Sequence, residues 1–216
     1  MRFLLFTYFI LYGFSEPLLA NDDSLSLNLS YFYYSHTEST PEVTRDSSGV
    51  LQTGENKFKR VYSILSFSSY YKVLPYLGLG LEGVEGTRTT VLRTTVNSQV
   101  TTEVTKTRWK LLGPSIGYDS ANGVSFGVSY FPYNSRETSF KLDDGDHYSV
   151  LYDKGLAWAA HLGYGFKFTN LYFGPRVQFI HIDYKRVRAS GQESEELNLS
   201  EADDFIVPSL SFWWKI

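Results

Sequence analysis

Glu82, His161, Arg176 and Gln178 are the residues of this chain whose types and placement suit joint chemistry. Glu82 follows the run Leu77-Gly78-Leu79-Gly80-Leu81, and Arg176 follows Leu171-Tyr172-Phe173-Gly174-Pro175. Each charge lies a similar distance beyond a short turn. If the two runs are strands on opposite walls of one narrow barrel, carboxylate and guanidinium meet in mid-lumen. His161 and Gln178 then stand at a similar height. Such a group serves either as a buried ion pair that plugs the barrel or as a gate opened by partner exchange, and the plug is the expectation. Removing one partner of a buried pair leaves an uncompensated charge. A second candidate is His147-Tyr148-Ser149, beside Asp143, Asp144 and Asp146. Nucleophilic catalysis also needs a base held by a third group and an oxyanion site, and neither is legible. No catalytic residue is assigned, and the chain is not expected to be an enzyme.

The acidic groups at 143–146 and 193–204 offer oxygen ligands of the kind calcium takes. Their spacing does not match a helix-loop-helix calcium loop, so they are read as solvated surface, with no metal and no cofactor. The chain has 216 residues, no cysteine, 17% aromatic residues and a formal net charge of −3. Lack of cysteine excludes a disulfide scaffold and thiolate metal sites. The charge offers no basic footprint for nucleic acid.

The elements that position these residues come from the pattern along the chain. Arg2 and the apolar stretch Phe3 to Phe14, followed by Leu18-Leu19-Ala20, read as a signal peptide over residues 1–20. The apolar core is too short for a membrane helix, which needs about 20 residues. From residue 21 onward one domain is expected, and its pattern has period two. Leu25, Leu27, Leu29, Tyr31 and Tyr33 alternate with Ser26, Asn28 and Ser30. Alternation of this kind separates the two faces of a sheet. It recurs in about eight segments, although Tyr62 and Ile64 blur it in one of them. Lys72 to Pro75, Asp119 to Gly123 and Thr169-Asn170 are short connections. Residues 36–59, 85–108, 133–154 and 185–204 are expected as long polar loops. Within the second, Thr87 to Thr107 is rich in threonine and valine around Asn97-Ser98, which favours a hairpin whose exposed edge can recruit a strand. Short and long connections alternate, so an up-and-down barrel has its turns at one end and its loops at the other.

The fold expected is therefore all-β: an eight-stranded antiparallel up-and-down transmembrane β-barrel. A water-soluble barrel of the same size puts its bulky apolar face inside. Here the other face is rich in glycine and serine and carries Glu82, Lys167, Arg176 and Lys215. Small residues suit a crowded lumen, and charges are costly against lipid. Aromatic residues at segment ends fit interfacial girdles.

The terminal run, with Leu210, Phe212, Trp214 and Ile216 alternating around Ser211, Trp213 and Lys215, resembles the C-terminal signal of bacterial outer-membrane proteins. In those proteins an alternating apolar end is read by the barrel-assembly machinery. The chain thus resembles the small Gram-negative outer-membrane β-barrel superfamily, with its OmpA-, OmpX- and OmpW-like members. The resemblance implies a multi-pass barrel in the cell outer membrane, with outer-membrane lipid, lipopolysaccharide and the assembly machinery as partners. It implies a structural or surface-interaction role through the long loops, with a surface ligand there. The alternative is a narrow, porin-like channel for small or apolar solutes, as in the OmpW-like case. The third class is a lipid-modifying enzyme. Some outer-membrane lipid A deacylases use a His-x-Ser pair on a late strand, whereas His147 and Ser149 fall in an expected loop.

Overall fold

Period-two alternation closes into one continuous sheet. The computed structural model describes residues 25–45, 49, 51–74, 76–96, 99–120, 122–141, 147–189 and 195–216. The expected signal peptide lies outside the described residues, as do Asn97, Ser98, Asp143, Asp144, Asp146 and Glu193. The strands are β1 (Leu25–Arg45), β2 (Leu51–Leu74), β3 (Leu77–Val96), β4 (Gln99–Asp119), β5 (Val124–Tyr130), β6 (Tyr133–Lys141), β7 (His147–Asp153), β8 (Ala157–Tyr164), β9 (Phe166–Phe168), β10 (Leu171–Ala189) and β11 (Glu195–Lys215).

β5 and β6 are the lower and upper parts of the fifth wall strand, both lying along β4. β9, β8 and β7 are successive parts of the sixth, all lying along β10. Eight antiparallel wall strands thus run round in sequence order, and β11 closes the ring against β1. At the closing seam Leu25 N–H donates to Ile216 O at 2.9 Å and Ile216 N–H to Leu25 O at 2.8 Å. This is the eight-stranded up-and-down barrel expected from the alternation.

The fifth strand breaks at Phe131-Pro132 because proline has no N–H for the ladder. Between the pairs Ser115↔Ser129 and Leu112↔Tyr133 the β5–β6 side carries one extra residue, a bulge. It turns Phe131 inward, where the side chain is fully buried and its N–H donates to Ala157 O at 2.8 Å.

Outside, the lower wall is a continuous apolar belt. Leu79, Leu81, Ile116, Phe126, Val128, Leu162, Phe173 and Phe212 are all exposed. The belt ends where outward charges begin, at Glu85 on β3, Lys110 on β4 and Asp204 on β11. Inside stand the small and polar residues of the other parity, among them Ser26, Asn28, Ser66, Ser115, Ser125 and Ser211. Glycines let the larger inner side chains lie flat on the wall. A Cβ on Gly127 would strike the His161 ring, and one on Gly163 the Trp213 ring. Lys167 departs from expectation. Beyond the break at Gly165 the parity is lost and Lys167 is exposed.

The largest departure is above the belt. The segments expected as polar loops are mostly strand. β1–β2 pairing runs up to Arg45↔Leu51, β3–β4 to Val96↔Gln99, β6–β7 to Lys141↔His147 and β10–β11 to Val187↔Glu195. Above the belt a hairpin meets solvent on both faces, so polar residues occupy both and the alternation that betrays a half-buried strand disappears. Cross-strand pairs and β-branched residues still carry the ladder. The hairpin expected over Thr87 to Thr107 is present, but its edges are not free. β2 lies along β3 up to Gly54↔Val96, and β6 along β4 up to Val104↔Lys141.

Candidate functional site

Above a floor made by Tyr172, Trp213 and Lys215, three layers stack in the lumen, and the lowest of the three contains the four residues singled out by sequence. Glu82 projects from β3, His161 from β8, and Arg176 and Gln178 from β10, all on the inward parity. The structure brings them together. Arg176 Nη2 donates to Glu82 Oε1 at 2.7 Å, and both side chains are 0% exposed. Gln178 Nε2 donates to the same oxygen at 2.9 Å. Glu82 Oε2 accepts a short hydrogen bond from Ser129. Arg176 Nη2 also lies 2.9 Å from His161 Nδ1. A guanidinium has only donors, so Nδ1 accepts and the ring carries its proton on Nε2.

Neutral hydroxyls extend this centre across the lumen. Ser129 gives its one proton to Glu82, so Ser115 Oγ donates to Ser129 Oγ across 2.7 Å; Ser115 Oγ in turn lies 3.0 Å from Tyr70 Oη, and Ser66 Oγ donates to Gln178 Oε1 at 2.9 Å. Six strands are thereby tied through the barrel axis. The carboxylate is satisfied at both oxygens, whereas Nε and Nη1 of Arg176 are buried without a hydrogen-bond partner.

One step up the same strands the lumen is apolar. Ile64, Val84, Leu111, Phe131, Ala157, Ala159, Ile180, Ile182 and Val207 form one buried cluster with Trp109 and Tyr184, and Phe32, Tyr152 and Phe205 pack against it. The sequence reading did not identify this layer. Its one signal was the blurred alternation at Tyr62 and Ile64, where an apolar side chain takes the inward parity.

The third layer caps the second at the mouth. Asp203 Oδ2 accepts from Trp109 Nε1 at 3.0 Å, from Arg136 Nη1 at 3.0 Å and from Tyr184 Oη at 3.1 Å. Arg136 Nη2 also donates to Glu201 at 2.7 Å, and its guanidinium lies 3.9 Å above the Tyr152 ring. Burial and the Asp203 charge push the Tyr184 phenol up, so it stays a donor. Sequence pointed to Glu201 and Asp203 only as members of the acidic run 193–204 and to Arg136 and Tyr152 only as part of the expected loop 133–154, while Trp109 and Tyr184 lie just outside the expected loops and were not singled out.

On the outer surface just above the belt, His181 Nδ1 lies 2.8 Å from Asp204 and Nε2 lies 3.4 Å from Asp183. The hydrogen bond to Asp204 raises the His181 pKa above its ordinary value, and Asp183 adds to the rise.

Of the other sequence candidates, Asp143, Asp144, Asp146 and Glu193 lie outside the described residues. His147 and Ser149 lie on β7, opposite Lys141 and Ser139 of β6. Among the described residues no group of three His, Asp or Glu side chains is placed to hold a metal ion. Leu210, Phe212, Trp214 and Ile216 point outward and exposed along the last strand, with Leu210, Phe212 and Trp214 paired to Tyr31, Leu29 and Leu27 of β1.

No protein-family model matches the chain, and no curated protein matches it. Solved structures that resemble it include the crystal structure of outer membrane protease OmpT from Escherichia coli. The two are 9% identical with a TM-score of 0.48, over 93% of this chain and 99% of that one. At that identity and score nothing about chemistry transfers.

Proposed function

We propose that this chain is a sealed β-barrel of a bacterial outer membrane, with a structural or surface-interaction role exercised by the hairpins above the membrane. The observation that carries the reading is the inversion of the wall: exposed apolar side chains outside, buried ions and hydroxyls inside. A soluble barrel needs the reverse. The dimensions support it. Outward apolar residues extend from Leu171 to Phe179 on β10 and from Ile206 to Ile216 on β11. A tilted strand needs about 9–11 residues to cross the hydrocarbon of a bilayer. Closure of the ring supports it too, since lipid cannot satisfy free backbone groups.

The stacked polar and apolar layers argue against the channel reading. They leave the hairpins as the parts able to meet lipopolysaccharide or a surface ligand, and the reading assigns no catalytic step to the chain. A chain without cysteine permits a clean test. Single cysteines at Phe126, Leu162 or Val177 should resist a membrane-impermeant maleimide in liposomes, whereas one at Thr37 should react. Rapid labelling of the belt positions in folded, liposome-inserted protein refutes the assignment.

A further inference from the structure

The lower lumen holds hydrogen-bond donors that the protein itself does not use. Nη2 of Arg176 serves Glu82 and His161, while Nε and Nη1 are buried without a partner. Trp213 Nε1 and Ser125 Oγ are unpartnered as well, on residues only 3% and 2% exposed. These three side chains meet around one glycine. Gly163 on β8 lies opposite Arg176 of β10 on one side and opposite Ser125 of β5 on the other. A Cβ placed on it would stand 2.9 Å from Ser125 Oγ and 2.9 Å from Trp213 Cζ2, the ring carbon two bonds from Nε1. Ser125 and Trp213 also line a partly open recess of about 160 Å³ at the lower end, beside Asp119, Tyr172 and Lys215. Pockets for drug-sized molecules run to about 300–1,000 Å³, so the recess suits something smaller.

We propose that Arg176, Trp213 and Ser125 form a binding site for one small inorganic anion of halide size, reached from that recess, with each side chain turning a free hydrogen to the ion. The donor set decides the sign. Guanidinium and indole N–H groups can only donate. A cation finds no free carboxylate at this level, because Ser129, Arg176 and Gln178 occupy both oxygens of Glu82. A water molecule would bring protons of its own that need acceptors, whereas a halide accepts from every side and brings none. At the recess, Lys215 and Asp119 offset each other in charge. Lys215 Nζ lies 4.4 Å over the Tyr172 ring, and Asp119 Oδ2 accepts from Ser26 at 3.0 Å. Selection therefore falls to the deeper donors. Asn28, opposite Trp213 on β1, has its Oδ1 unpartnered too, and its amide turned over presents N–H instead. The apolar layer above makes the site a dead end, so an ion binds there without being conducted.

The test uses the folded chain in nanodiscs with nitrogen-15 in the tryptophan side chains, titrated with sodium bromide against sodium gluconate at constant ionic strength. The Trp213 indole resonance should shift saturably. Trp109, whose N–H is held by Asp203 at 3.0 Å, should stay in place, as should Trp158 and Trp214 on the outer face. Trp213→Phe removes the moving resonance and so assigns it. Ser125→Ala should weaken binding by at least about ten-fold, the scale of one hydrogen bond to a charged group. Asn28→Asp places a carboxylate beside Trp213 and should abolish the response. Arg176 stays intact in these variants, because its loss also breaks the ion pair. In crystals grown with bromide, anomalous scattering should place the ion next to Trp213 Nε1. An unmoved or non-saturating Trp213 resonance, an unchanged response in Ser125→Ala and Asn28→Asp, or water alone at the indole overturns the proposal. Retention of the maleimide pattern alongside any of these outcomes leaves the barrel reading intact and removes the anion site alone.

Discussion

A single residue separates Ser66 from Ile64 on β2, Glu82 from Val84 on β3 and Gln178 from Ile180 on β10, and across that step the lumen passes from polar to apolar. Below the step, stability depends on the pairing of Glu82 with Arg176 and on the hydrogen bonds to that carboxylate. Above it, stability depends on summed contact area. A polar layer therefore fails abruptly when one member is lost, whereas an apolar layer fails in proportion to the volume removed. The same contrast governs permeation. Water or ions would have to break a fixed network and then cross an apolar zone without polar lining.

The contrast is broken most severely at the ion pair. Arg176→Met should destabilise the barrel by about 3–5 kcal/mol, because Glu82 is left charged and buried. The double variant Glu82→Gln/Arg176→Met should recover most of that loss. Urea unfolding in liposomes, followed by tryptophan fluorescence, reads both, and an unrecovered double variant contradicts the pairing. At the mouth, Asp203→Ala strands three donors and should cost about 1.5–3 kcal/mol, the scale of a hydrogen bond to a charged group. In the apolar layer, Ile182→Val should cost only about 0.5–1.5 kcal/mol. A penalty there matching that of Arg176→Met would erase the distinction between the layers.

The smallest effect is at His181. Its pKa is raised by Asp204 first and Asp183 second. Its contribution to stability is complete below the ordinary histidine value of about 6.5 and fades as pH rises through the raised value. Imidazole resonances should titrate above that ordinary value, and Asp204→Asn should bring the midpoint down. An unchanged midpoint in the variant contradicts the assignment.

The layers also differ in how far sequence exposes them. Glu82 and Arg176 stood out because each interrupts a glycine- or apolar-rich run at a countable distance from a short turn. The apolar layer did not, because its residues share the inward parity with serines lower down and differ only in height. Arg136 and Asp203 were hidden for another reason. Their inward face is buried but polar, and the exposed Glu137 and Asp204 beside them make the neighbourhood resemble a loop.

Planar-bilayer recording of the purified, folded protein tests the sealed lumen most directly. Both layers intact predict no steady conductance at any moderate voltage. Long-lived, uniform conductance steps from the wild-type protein would contradict it.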